Sequence, residues 1–322
     1  MTIATAAPGP ARRDYRLVRP AGAGDAGSSA PLEDPGQQRI LAHVDGPLLV
    51  IGGPGTGKTS TLVEAVAARV AEGADPEGLL AITYSRRGAL RLRDRIEARL
   101  GVVAGRPTTA EPMVRTFPGY AFGLLRRAAT LAGDPPPRLL TAAEADLVIR
   151  ELLDSEEEQN AWPQTLRPAL RTRAFATELR DLLLRAVERG IGPAELAAYA
   201  RAQRRPDWWA AAHFYRQYRQ VLALRDATGH GSVGYDAAEL LRAATALLLD
   251  DPQLLSAERR RLSAVYVDEF ADTDPAHHDL LAVLAGGGKH LVVFADPDSS
   301  TFVFRGADPA GVADFPHRFR TA

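Results

Sequence analysis

The sequence predicts an α/β fold in which a mostly parallel sheet is flanked by helices and interrupted by an all-helical insertion. Short apolar runs of strand length recur at 47–51, 79–84, 113–117, 264–269 and 290–296. Most are followed by a helical stretch, and alternation of that kind builds a parallel sheet with right-handed crossovers. Between about 130 and 234 the strand signal fades into segments rich in Leu, Ala, Arg and Glu, including helical patterns at 142–153, 171–188 and 193–204. A glycine-rich loop, Gly52-Gly53-Pro54-Gly55-Thr56-Gly57-Lys58-Thr59, joins the first strand to the first long helix at 59–71.

That loop spells G-x-x-x-x-G-K-T in the strand–loop–helix context a phosphate cradle requires. Glycines let the backbone curl until successive N–H groups converge, and the helix start adds its positive dipole end. Lys58 can reach β and γ phosphates as a compact charge, and the Thr59 hydroxyl can ligate Mg²⁺. Of the 39 basic residues only Lys58 and Lys289 are lysine, and one of the two falls where an ammonium is wanted.

The first 30 residues, rich in Ala, Gly, Pro and Ser without periodicity, read as a disordered tail. Next comes Asp34-Pro35-Gly36-Gln37, ahead of a helix start at 39–42; a glutamine amide suits an adenine edge and equally suits plain surface. Tyr84 closes the second strand, and Ser85 caps an arginine-rich helix at 86–100 beginning at Arg86. An aromatic there can stack a base beside a phosphate contact, or lie half-buried under a solvated arginine face. The third strand ends at Phe117, with a helix from 120 to 131. Trp162, Trp208 and Trp209 read as helix-packing anchors in the insertion. A helix at 237–249 precedes the strand that ends in Asp268-Glu269. Two carboxylates at a strand tip suit phosphoryl transfer: Asp268 in the metal shell, Glu269 beside the attacking water. After a helix at 275–284, the last strand ends in Asp296 and runs into the loop 297–306.

A chain of 322 residues can hold one large or two modest domains, and its net charge of −1 gives no global field for nucleic acid. Absence of cysteine excludes disulfides, cysteine-ligated zinc and iron–sulfur clusters within these residues. His277-His278 reads as a solvated helix face, with a metal site as the alternative. Without a membrane-length apolar run or a secretory leader, the expectation is a soluble, cytoplasmic protein with no membrane partner.

Taken together, the ordered motifs resemble those of superfamily 1 DNA helicases of the UvrD/Rep type, over nearly everything from residue 31 onward. They are Asp34-Pro35-Gly36-Gln37, Gly52 to Thr59, Thr83-Tyr84-Ser85-Arg86, Thr116-Phe117-Pro118-Gly119, Tyr235-Asp236, Asp268-Glu269-Phe270-Ala271-Asp272, and Asp296 through Phe304-Arg305-Gly306. The resemblance implies a P-loop, RecA-like ATP-binding domain formed by 31–129 and 235–322, with 130–234 as the inserted helical subdomain. It implies ATP and Mg²⁺ as cofactors, Gln37 on adenine, and Lys58, Asp268 and Glu269 as the catalytic set, with Thr59 and Asp268 on the metal. Tyr84, Arg86, Phe117, Phe302, Phe304 and Arg305 are implied to meet single-stranded DNA, with 3′ to 5′ movement in repair or recombination. Ser299 stands where the family has a glutamine for the γ-phosphate, Ala271 replaces a glutamine, and Pro118-Gly119 replace a histidine and a serine. These departures weaken coupling, and with the arginine-rich composition they resemble the AdnA-like motor subunit of actinobacterial helicase–nucleases. A second motor or nuclease subunit is the implied partner. The family's second motor domain is expected to lie outside these residues, leaving them weak in hydrolysis alone. The two readings are therefore an ATP-driven translocase, and a degenerate motor that binds ATP and DNA to support a partner.

Overall fold

The computed structural model describes residues 34–104, 112–155, 161–228 and 232–319; the expected tail at 1–30 lies outside them. Its strands are β1 (Pro47–Ile51), β2 (Leu79–Thr83), β3 (Met113–Thr116), β4 (Arg138–Leu139), β5 (Gly234–Tyr235), β6 (Ala264–Val267) and β7 (His290–Ala295). Five of them form one sheet in the order β1-β7-β6-β2-β3, every pairing parallel. β2 alternates between two cores: Leu80 and Ile82 face one, Leu79 and Ala81 the other. A strand buried on both faces reads as a continuous apolar run, which is why these strands were visible in the sequence.

The helical stretch packs a separate cluster around Ile149, Leu153, Trp162, Leu179 and Phe214. Trp162 is buried edge-on against Phe175, with ring centroids 5.1 Å apart, as an anchor should be. Trp208 and Trp209 instead carry arginines on their faces, Arg205 and Arg201 respectively.

Several elements depart from expectation. Phe117 starts a helix, Phe117–Ala132, because Thr116 Oγ1 accepts from the Gly119 N–H and Pro118 fits the first turn. The helix Pro206–Thr228 has no single apolar stripe, since Ala210, Ala211 and Ala212 are all buried in succession. Without that stripe it escaped periodicity. The helices Pro252–Arg261 and Ala310–Arg318 were not expected, nor was the two-residue parallel pair β4·β5 that leads into and out of the helical stretch. His277 and His278 are not a solvated face. Both are buried on Pro275–Ala285, where His278 Nε2 lies 2.8 Å from Thr273 Oγ1 and its ring tilts over Phe270. Among the described residues no helix is long and apolar enough to cross a membrane.

Candidate functional site

Strand register brings the chemistry-bearing residues to one edge of the sheet. Ile51 pairs with Ala295, Val267 with Val293, and Ile82 with Val267, so the residues just past each strand line up along the carboxyl ends. This edge of an open parallel sheet is where ligands bind. In order across it stand Gly52, Asp296, Asp268, Thr83 and Tyr84.

The glycine loop turns there because Gly57 adopts φ 87°, a left-handed conformation that opens the helix Lys58–Ala71 with no side-chain cap on its first N–H groups. A Cβ on Gly57 would meet the Gln37 amide nitrogen at 2.7 Å. Gln37 itself donates to the Thr56 carbonyl at 3.0 Å, which fixes it at the rim of the loop. Lys58 Nζ donates to the Gly52 and Gly53 carbonyls at 2.7 and 2.8 Å and lies 3.4 Å from Asp296 Oδ2. Burial opposes the charge on Asp296, but hydrogen bonds from Ser299 and the Lys58 ammonium hold its carboxyl below the usual range. The exposed Ser299 is therefore tied to Asp296 at the edge of the loop. Asp296 was noted only as a strand end; its pairing with Lys58 follows from β7 lying beside β1, which no local pattern encodes.

Thr59 Oγ1 donates to Asp268 Oδ2 at 2.8 Å. Burial pushes the Asp268 carboxyl up, and the Thr59 hydroxyl works against that. A hydroxyl and a buried carboxylate oxygen side by side form a hard oxygen pair suited to Mg²⁺, which would remove the penalty on the charge. No cluster of three or more His, Cys, Asp or Glu among the described residues offers a metal site independent of a phosphate. Glu269 sits at φ 58° and swings the chain from β6 into the short turn Phe270–Asp272. A non-glycine residue there costs about 1–2 kcal/mol, so the conformation is held by its surroundings. Thr83 Oγ1 donates to Glu269 Oε2 at 2.8 Å, while burial raises the Glu269 carboxyl.

One residue beyond Thr83, Tyr84 meets Phe302 with centroids 5.0 Å apart. Phe304 is 77% exposed, and the Arg305 guanidinium lies 5.4 Å from its ring and 6.0 Å from that of Phe302. Arg86 is exposed at the start of Arg86–Ala104. Phe117 does not join them. It is fully buried in the core with its ring against the edge of His277, so it presents no face to a strand of DNA. His277 was missed as a contributor: it contacts Phe117, lies 6.1 Å from Tyr84, and its Nδ1 lies 2.9 Å from Asp274 Oδ1.

The family model for the UvrD/REP helicase N-terminal domain matches residues 33–320. The chain is similar to ATP-dependent DNA helicase UvrD2 of Mycobacterium tuberculosis, 30% identical over 299 residues that make up 91% of this chain and 40% of that protein. PcrA of Bacillus subtilis is 26% identical over 90% of this chain and 36% of its own length, and DNA helicase II of Escherichia coli 27% identical over 88% and 36%. The chain thus spans about two-fifths or less of these relatives.

Proposed function

Since the chain belongs to the UvrD/REP helicase N-terminal domain family, we propose that it is the ATP-binding part of a translocase or helicase that moves 3′ to 5′ along single-stranded DNA in repair or recombination. The observation that carries the reading is the unbroken run Thr59, Asp268, Glu269, Thr83, Tyr84. Each of the first four is hydrogen-bonded or peptide-bonded to the next, and Tyr84 directly follows Thr83. The water-activating carboxylate thus lies one hydroxyl and one peptide from an aromatic platform.

In hydrolysis, Glu269 takes a proton from the attacking water as its oxygen bonds the γ-phosphorus and the bond to the ADP oxygen breaks. The raised carboxyl of Glu269 makes it a better proton acceptor than an ordinary glutamate. Lys58 exchanges its loop carbonyls for phosphate oxygens, releasing Asp296 and, through it, Ser299. Thr59 and Asp268 would hold Mg²⁺, which when bound would supply charge neutralisation on the phosphates. Gln37, anchored on Thr56, faces the adenine, and Tyr84, Phe302, Phe304, Arg86 and Arg305 take up the DNA by stacking and phosphate contact. The protein works in the cytoplasm, with a second motor or nuclease subunit as partner.

The alternative, a module that binds ATP and DNA but drives no movement, draws on one observation: Ser299 is hydrogen-bonded to Asp296, and a serine side chain is shorter than the glutamine the family has there, so it would need a water to span the same gap. Steady-state ATP hydrolysis by the protein carrying these residues, with and without single-stranded DNA, decides between them. Strong stimulation that vanishes in Glu269→Gln supports the motor; hydrolysis indifferent to DNA that Ser299→Gln restores to DNA control supports the module.

A further inference from the structure

The helical insertion reaches back to the aromatic loop through two residues that the nucleotide chemistry does not use. Arg185 and Glu188 lie at the end of the helix Arg173–Glu188, with Arg185 Nη2 2.7 Å from Glu188 Oε1. Glu188 is only 5% exposed. Arg185 Nε and Nη1 and Glu188 Oε2 are buried without hydrogen-bond partners among the described residues. Lying on these atoms is the backbone of Gly306, the residue after Arg305; a Cβ at Gly306 would collide with both Arg185 Nη1 and Glu188 Oε2. Gly306 also needs its left-handed φ of 97° to close the short turn Val303–Arg305.

The insertion cannot simply drift from this contact. Arg242, on Ala237–Asp250, donates to the Val187 and Glu188 carbonyls at 3.1 and 2.6 Å and pairs with Asp279 at 2.6 Å. Arg185 and Glu188 therefore line, with Tyr84, His277, Phe304 and Arg305, one cavity of about 590 Å³.

We propose that Arg185 and Glu188 are positioning residues for the single-stranded DNA platform, bearing on Gly306 so that Phe302, Phe304 and Arg305 are held beside Tyr84. This rests on the reading of that platform as the DNA site. Burial, with Asp274 and Asp236 nearby, pushes the Glu188 carboxyl up to about 8 despite Arg185 and Arg189 on its own helix. Asp274 faces it from the start of Pro275–Ala285 and Asp236 from the start of Ala237–Asp250, with Tyr84, His277 and Arg305 across the cavity. A neutral Glu188 seats under Gly306. An ionised one is repelled by the two aspartates and draws water into the contact, which loosens the loop.

The test places 4-fluorophenylalanine at position 302 and follows its fluorine resonance from pH 6 to 9, alongside binding of a labelled oligothymidylate. The expected result is a resonance that titrates near pH 8 and an affinity that weakens up to about tenfold between pH 7 and 9. In Glu188→Gln, which keeps the shape without the charge, the resonance no longer titrates near pH 8 and affinity holds flat; Arg185→Ala and Gly306→Ala weaken binding at every pH. A resonance that titrates identically in Glu188→Gln, or oligonucleotide binding unmoved by all three variants, overturns the positioning role. A Glu188-dependent titration in a protein that binds no oligonucleotide overturns the DNA reading of the platform instead.

Discussion

The nucleotide end of the sheet and the aromatic platform beside it are built in opposite ways. At the nucleotide end Asp296, Asp268, Glu269 and Thr83 sit at or just past strand tips, Lys58 and Thr59 open the helix after the glycine loop, and each is paired across the edge: Lys58 with Asp296, Thr59 with Asp268, Glu269 with Thr83. Parallel strand order sets the edge, and the glycine loop carries Lys58 and Thr59 across it. The platform draws on segments around residues 84, 185–188, 274–277 and 302–306, supplied by a strand end, the end of the helix Arg173–Glu188, a helix start and a loop. Packing holds it. A site set by backbone pairing tolerates little and moves little, whereas a site set by packing across elements can be shifted by whatever moves one of them.

The largest effect expected from breaking this contrast is at the strand tips. Glu269→Gln removes the base and should cost about 10²–10⁴ in kcat with nucleotide affinity largely retained, measured by steady-state hydrolysis and nucleotide titration. Equal losses in kcat and affinity would show that Glu269 holds the fold of the tip rather than the water. On the platform, Phe304→Ala should weaken oligonucleotide binding by about 1–3 kcal/mol, read by fluorescence anisotropy. Because Phe304 is held by few neighbours, little loss in melting temperature should accompany it.

Smaller effects sharpen the comparison. The raised Glu269 carboxyl means that the acid limb of the hydrolysis profile lies above the 4.5 of a free glutamate, since activity needs the ionised form. Thr83→Val, which deletes the hydrogen bond that opposes the burial effect, should push that limb higher still. A limb unmoved in Thr83→Val would separate Thr83 from the base. For Glu188 the sign runs the other way in stability: raised from 4.5 to about 8 in the fold, it contributes stability that is complete below pH 4.5 and is lost as pH climbs to about 8. Melting temperatures across that window should fall in the unaltered protein, and this component should be missing in Glu188→Gln.

The strands, the glycine loop and the carboxylate pair were legible because their physics is local: an apolar run buried on both faces, a turn only glycine fits, two acids at a strand tip. The alternation of helices and strands likewise announced a parallel sheet, and the helical character of 130–234 announced the helices that pack around Ile149, Trp162 and Phe214. Periodicity was silent on Pro206–Thr228, which is buried on several sides, and it assigned His277 and His278 to solvent because nothing local shows that their helix face meets Phe117 and Phe270. Phe117 fell in the right motif but at a position that one turn of helix carries into the core. Tertiary structure alone decided which strand lies beside which, and hence that Asp296 meets Lys58 and Thr83 meets Glu269. It also decided that Arg185 and Glu188 of the helix Arg173–Glu188 come to rest under Gly306, since register and helix packing join residues more than a hundred positions apart that no pattern in the chain relates.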